Sequence, residues 1–165
     1  MTRIIYVGSE EGFTSARGVL RDPSSIVHVP ANVESLASAL ADADALLDAS
    51  MKTAITDAMI KTSPKLKIIS CATTGSDHIQ RREIERRGIP LRTLREDPDL
   101  LRNLTPAAEL SWALLMVCAR RLTAAADHVR SGKWVREEFP GIMLRGKRLG
   151  LIGCGRIGGW MARYG

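Results

Sequence analysis

Three glycines near the C-terminal end of the chain have a spacing typical of dinucleotide binding. Gly153, Gly155 and Gly158 form Gly-x-Gly-x-x-Gly directly after the apolar residues 148–152. The first glycine permits a tight strand-to-helix turn, the second lets the backbone approach a pyrophosphate, and the third lets the helix pack closely on the strand. The amides at the start of that helix would then meet the phosphate charge. The pattern predicts a dinucleotide site.

The acidic residue that completes this fingerprint would lie about 20 residues beyond the glycines, at the end of the next strand. The sequence has 165 residues and ends at Gly165, before such a strand. We therefore expect the chain to be an incomplete protein or one half of a larger one.

The residues upstream of the glycines alternate between strand and helix patterns. Strands are predicted at residues 3–8, 45–47, 66–72 and 89–92, and helices at residues 33–43, 56–62 and 81–87. The last strand must be short, because Pro90 lacks the amide hydrogen that a central ladder requires. This alternation indicates an α/β fold with a parallel sheet.

The second half of the chain has a different, more helical pattern. Thr105 and Pro106 have the cap and first-turn types of a helix N-terminus, and an apolar face then continues to residue 121. A second helix is predicted at residues 123–130, a strand at residues 148–152, and a last helix from residue 159.

The composition excludes several classes of protein. The chain is 45% hydrophobic and 25% charged, as in soluble globular proteins, and no run of about 18 apolar residues predicts a membrane span. The formal net charge is +6, yet basic and acidic residues are interleaved in residues 81–87, which is typical of a solvated helix face. We therefore expect no nucleic-acid partner and no membrane partner.

The cysteines argue against a disulfide framework and against a metal site. Cys71, Cys118 and Cys154 are odd in number, and no Cys-x-x-Cys pair occurs. Both kinds of site need closer or paired spacing. We expect three reduced, mostly buried thiols in a cytoplasmic protein, with no metal.

Four blocks occur in a specific order along nearly the whole chain. They are residues 73–79 followed by 87–89, residues 107–120, residues 132–134, and residues 144–158. Together they resemble the D-isomer-specific 2-hydroxyacid dehydrogenase family, and within it the D-3-phosphoglycerate dehydrogenase branch. The resemblance implies a flavodoxin-like or Rossmann-like substrate domain at residues 1–98. It also implies the beginning of a second, Rossmann NAD-binding domain at residues 99–165.

The resemblance further implies an activity. The family transfers hydride between NAD and a 2-hydroxy or 2-oxo acid. 3-Phosphoglycerate is one candidate substrate, and NADP is an alternative cofactor. It implies a cytoplasmic homodimer that associates through the NAD-binding domain. The family's catalytic Arg, Glu and His all follow the glycine turn, so this chain holds no catalytic residue and is expected to be inactive alone. The alternative is a non-catalytic nucleotide-sensing or dimerisation module of the same fold.

Cofactor-binding residues also follow from the resemblance. Thr74 matches a position that contacts the cofactor, and Arg156 and Ile157 match the residues under the pyrophosphate. They join Gly153, Gly155 and Gly158 as the predicted cofactor site.

Substrate-binding residues are implied in the same way. Gly75 and Ser76 match the loop whose amides hold the substrate carboxylate. This role is physically reasonable, because a turn of small residues after a strand exposes amide donors to an anion; an ordinary turn is the alternative. Where many members carry an arginine, this chain has Ser50, with Lys52 as the nearest cation.

Overall fold

Five parallel strands organise the first part of the chain in the computed structural model, which describes residues 2–165. The strands are β1 (Ile4–Val7), β2 (Ile26–His28), β3 (Ala45–Asp48), β4 (Ile68–Cys71) and β5 (Leu91–Arg92), in the order β2-β1-β3-β4-β5. Parallel neighbours need crossover connections, and these contain α1 (Glu10–Val19), α2 (Val33–Leu40), α3 (Asp57–Lys61) and α4 (Arg82–Arg87). The predicted α/β fold with a parallel sheet is confirmed.

Helices cover the middle of this sheet on both faces. Successive side chains of a strand point to opposite faces, and Ile5, Tyr6 and Val7 are all buried. Leu46 of β3 and Ile69 of β4 complete the centre of the hydrophobic core. The edge strand β5 is only two residues long, as expected beside Pro90.

Sequence reasoning missed α1 and β2. Helix α1 has no buried residue, and β2 buries only Ile26 among its three residues. Both elements therefore lack the apolar periodicity that predicts a helix or strand. A readable signal was Ser9, which accepts a hydrogen bond from the Gly12 amide as an N-cap, with Glu10 in the first turn.

The chain divides into two compact units, Met1–Pro98 and Asp99–Gly165. Helix α5 (Pro98–Arg102) begins at the last residue of the first unit and continues into the second. The second unit also contains α6 (Pro106–Ala119), α7 (Leu122–Arg130) and α8 (Arg156–Tyr164). Among residues 2–165, no helix is both long enough and apolar enough to cross a membrane.

The predicted strand at residues 148–152 is wrong for the described chain. These residues form no strand, and Ile152 is fully exposed. A strand is stable only when its amides and carbonyls pair with a neighbour, and no strand pairs with residues 148–152 within residues 99–165.

The expectation of mostly buried thiols is wrong for two of the three cysteines. Cys118 and Cys154 are exposed, and only Cys71 is buried.

Candidate functional site

The glycine turn has the backbone shape that its sequence predicts. Gly153 has a φ of +91°, a conformation that residues with a Cβ rarely adopt. A Cβ built on Gly158 would lie 2.0 Å from the carbonyl oxygen of Gly153. The third glycine is thus required because the turn closes on itself, and not for the packing of the helix on the strand that its spacing predicts.

The second glycine faces open space at the start of α8. No heavy atom lies within 4 Å of a Cβ built on Gly155, and this residue is the N-cap of α8 without a side-chain cap. The amides of Gly155, Arg156 and Ile157 donate no hydrogen bond to another described residue. Free amides at the positive end of a helix attract phosphate. The arrangement therefore fits a pyrophosphate.

Arg156 and Ile157, the next two residues predicted to bind the cofactor, show no side-chain feature that indicates pyrophosphate binding. Nη1 of Arg156 donates a hydrogen bond to the carbonyl of Leu104 at 2.5 Å, so its guanidinium is held within the second unit. Ile157 is 41% exposed. If both residues lie under a pyrophosphate, they contribute their backbone amides.

Two neighbouring loops in the first unit contain the predicted substrate residues. Strands β3 and β4 are adjacent, with Asp48 beside Cys71, so the loops that follow them leave the same carboxyl edge of the sheet. In open α/β sheets, ligands bind at this edge. The loops meet at Gly75, where a Cβ would lie 3.2 Å from Cε of Met51.

The loop after β4 presents unused donors. The amides of Thr74, Gly75 and Ser76 donate no hydrogen bond to any other described residue. The Thr73 hydroxyl donates to the Gly75 carbonyl at 2.8 Å, which fixes the turn. Consecutive free amides in a turn form an anion-binding concavity.

The Ser76 side chain cannot add to this concavity. Ser76 is 7% exposed, and its hydroxyl accepts a hydrogen bond from Nη2 of Arg81 at 2.8 Å. The Lys52 side chain is exposed and has no ion pair with a described residue, and none of its atoms lies within 4 Å of a Cβ built on Gly75. Met51, rather than Lys52, is the residue of its loop that contacts Gly75.

Sequence reasoning missed a buried group beneath these loops. Asp48 lies 2.5 Å from His78, and the ligand-type atoms of Asp48, His78 and Cys71 are all within 4.8 Å of one another. Burial, followed by the charge of Asp48, raises the pKa of the Cys71 thiol to about 11. The direct hydrogen bond between Asp48 and His78 explains why these two side chains lie together. An aspartate that ends an apolar strand two residues before a serine was the available signal.

Sequence profiles of one family match both parts of the chain. Residues 15–93 match the D-isomer specific 2-hydroxyacid dehydrogenase catalytic domain. Residues 112–165 match the NAD binding domain of the same family. The second match includes the glycine turn and confirms NAD as the predicted cofactor.

Individual relatives agree with the profiles. A glyoxylate reductase of Thermococcus litoralis is 39% identical over 112 residues, which is 64% of this chain and 32% of the relative. The human D-3-phosphoglycerate dehydrogenase is 34% identical over 125 residues, which is 76% of this chain and 22% of the relative. The chain therefore spans about a third or less of these curated relatives.

Solved structures share the fold. An NAD-dependent formate dehydrogenase from Staphylococcus aureus, solved in complex with NAD, superposes with a TM-score of 0.78 at 22% identity. The similarity covers 99% of this chain and 53% of that structure. The fold of this chain is thus found within a larger solved structure.

Proposed function

Because this chain belongs to the D-isomer-specific 2-hydroxyacid dehydrogenase family, we propose that it supplies the substrate loops and the phosphate turn of an NAD-dependent oxidoreductase. The enzyme transfers hydride between NAD and a small 2-hydroxy or 2-oxo acid. In this proposal, Met1–Pro98 is the N-terminal part of the substrate domain and Asp99–Gly165 begins the NAD-binding domain.

The free amides of the loop after β4 are the observation that supports this proposal most. A carboxylate accepts charge-assisted hydrogen bonds from such amides, each worth about 1.5–3 kcal/mol. Gly75 leaves room for the carboxylate, and the amides of Gly75 and Ser76 orient it. Thr74, at the start of the same turn, is the residue that we assign to the cofactor.

The glycine turn has the complementary role. NAD, when bound, supplies the hydride acceptor, and the amides of Gly155, Arg156 and Ile157 hold its pyrophosphate. Gly153 and Gly158 keep the turn tight enough for these three amides to converge. The chain itself holds no catalytic residue in this proposal, so the 165-residue polypeptide alone should show no turnover.

The substrate is a small acid, with glyoxylate and the oxidised form of 3-phosphoglycerate as the first candidates. Both follow from the activities named for the relatives, a glyoxylate reductase and a D-3-phosphoglycerate dehydrogenase. Lys52 is the cation that we assign to the substrate, since its ammonium has no ion pair with a described residue. A phosphorylated substrate would need this charge.

We also propose that the enzyme is a cytoplasmic homodimer that associates through its NAD-binding domain. Helix α6 is apolar around most of its circumference, and Leu110 and Leu114 are 62% and 55% exposed. A helix of this type is normally covered. Light scattering of the protein expressed from its complete coding sequence should give a dimer, and Leu114→Glu should give a monomer.

An activity assay tests the proposed function. The protein expressed from its complete coding sequence is mixed with NADH and glyoxylate, pyruvate or 3-phosphohydroxypyruvate, and NADH absorbance is followed. We expect turnover with at least one acid. Gly155→Val should weaken NADH binding by about 10–100-fold, which is about 1.4–2.8 kcal/mol, because the added side chain occupies the space that the pyrophosphate needs. Folding should be unaffected, because a Cβ at this position meets no described atom within 4 Å.

Gly150→Val is the matched control, because a Cβ at Gly150 also meets no atom within 4 Å. It should leave NADH affinity unchanged. NADH binding without turnover on any acid would favour the nucleotide-sensing alternative. Unchanged NADH affinity in Gly155→Val would show that the glycine turn is not the cofactor site.

A further inference from the structure

One buried carboxylate joins the two loops at the carboxyl edge of the sheet. Oδ1 of Asp48 accepts hydrogen bonds from the amides of Ser50 at 2.8 Å and Met51 at 3.3 Å. Its Oδ2 lies 2.5 Å from Nε2 of His78, which must be the donor because a carboxylate only accepts. The side chains of Asp48 and His78 are 3% and 11% exposed. Water therefore competes little for these bonds.

The loop after β3 is held in a strained conformation. Met51 has a φ of +55°, a left-handed backbone that is unfavourable for a residue with a Cβ. In this conformation its amide bonds Asp48 and its side chain lies against Gly75. Strained residues persist where the surrounding structure holds them, and they cluster at ligand sites.

Unpartnered polar atoms occur in the same two loops. Among residues 2–165, only three buried side-chain polar atoms have no hydrogen-bond partner: Thr53 Oγ1, His78 Nδ1 and the Tyr6 hydroxyl. Thr53 and His78 belong to the loops after β3 and β4. A buried polar atom without a partner is unfavourable, and two of these three atoms, with the strained Met51, lie in the two loops, whereas Tyr6 belongs to β1.

We propose that Asp48 is a positioning residue for acid binding. Through His78 and Met51 it holds both loops in one geometry, in which the amides of residues 74–76 converge on the carboxylate of a 2-oxo acid. Asp48 does not touch the acid. Its effect is preorganisation, because loops that are fixed in advance lose less conformational freedom on binding. The inference rests on the proposed function, since it concerns the same acid site.

The link between Asp48 and His78 is tested with two substitutions of one residue. His78→Leu removes the donor, whereas His78→Gln carries an amide N–H that reaches the same carboxylate oxygen. Kinetics are measured on the protein expressed from its complete coding sequence, with whichever of glyoxylate, pyruvate and 3-phosphohydroxypyruvate gives the highest kcat/KM. We expect His78→Leu to raise the KM for that acid at least about tenfold and to change the KM for NADH less than about twofold. His78→Gln should restore most of the acid affinity.

A substitution of the strained residue Met51 provides a test whose result cannot be explained by loss of folding. Met51→Gly relieves the left-handed strain and removes the side chain from Gly75. We expect its unfolding midpoint to rise or stay constant, while the KM for the acid rises at least about fivefold. Arg121→Gly is the matched control, because Arg121 has a φ of +51° in the second unit. It should leave both KM values unchanged.

The outcomes separate this inference from the proposed function. Equal acid KM values in His78→Leu and His78→Gln, or an unchanged acid KM in Met51→Gly, would overturn the positioning role and leave the dehydrogenase activity intact. If the wild-type protein expressed from its complete coding sequence reduces no acid, the proposed function fails. Hydrogen exchange then tests whether the two loops are coupled through His78. The Met51 amide bonds Asp48, and the Ile79 amide bonds the Ser76 carbonyl in the loop after β4. Unchanged exchange of both amides in His78→Leu overturns the coupling, and faster exchange of both supports it.

Discussion

The two units of the chain bury their apolar residues to very different extents. The whole hydrophobic core lies in Met1–Pro98. In Asp99–Gly165, only Ala108 and Met161 are buried apolar residues, and most of the exposed large hydrophobic side chains of the described chain lie there. The comparison shows that an apolar sequence produces a core only where strands and crossover helices provide opposing layers.

The two predicted binding sites differ in the same way. The loop after β4 is supported from below by β3, β4 and the buried carboxylate of Asp48. The glycine turn is shaped by its own backbone, through Gly153 and Gly158, without a paired strand before it in the described residues. The acid site should therefore depend on distant packing, and the phosphate turn on local sequence.

Truncating a core side chain should show the largest difference between the units. Leu46 is 1% exposed in β3, and Leu46→Ala should lower the free energy of unfolding by about 2–5 kcal/mol. Leu114→Ala, in α6, should cost less than about 1 kcal/mol because Leu114 is 55% exposed. Urea unfolding followed by circular dichroism measures both values. Similar losses in the two variants would contradict the contrast.

A half-buried arginine in the first unit, Arg87, should give the next largest effect. The guanidinium of Arg87 donates hydrogen bonds to the carbonyls of Ile60, Ser63, Pro64 and Leu66. Arg87→Ala removes the guanidinium donor from all four carbonyls and should cost about 2–3 kcal/mol.

Arg82 of the same helix is the matched control for Arg87, because its side chain is exposed. Substitutions at exposed positions change stability little, so Arg82→Ala should cost less than about 0.5 kcal/mol in the same urea experiment. An equal loss in both variants would show that the carbonyl contacts of Arg87 do not stabilise the unit.

In the second unit, the glycine turn should respond to single methyl groups. Gly158→Ala places a Cβ against the Gly153 carbonyl and should lower stability by about 1–3 kcal/mol. Gly159→Ala meets no atom within 4 Å and lies within α8, so it should raise stability by up to about 1 kcal/mol. Tryptophan fluorescence reports this unit, because Trp112, Trp134 and Trp160 all lie in it. Opposite signs are expected, and equal signs would refute the clash.

At neutral pH the cysteines should give the smallest effect, and a difference between their variants should appear only at high pH. The pKa of the Cys71 thiol is raised from 9.0 to about 11 in the folded chain. The unfolded state therefore releases this proton first, and the stabilising contribution is complete below pH 9 and is lost between pH 9 and 11. Cys71→Ala should flatten the stability profile in that window. Cys118→Ala, at an exposed position, should leave the profile unchanged.

Sequence patterns predicted the elements that carry strong apolar or turn signals. Gly88, with a φ of +64°, ends α4 as expected, and Gly132, with a φ of +79°, follows the end of α7. Helix α1 was missed because none of its residues is buried. The strand at residues 148–152 was predicted from residues that pair with no strand in the described part of the chain. Periodicity reports burial and does not report whether a neighbouring strand exists.

The sequence by itself determined the family, the parallel α/β fold and the glycine turn, because these depend on residue types at fixed local spacing. Only the tertiary structure showed that Asp48 reaches His78 across 30 positions, that Met51 contacts Gly75, and that the amides of residues 74–76 are free. These contacts form between chain segments that β3 and β4 bring together. Their geometry follows from strand register, which local sequence does not encode.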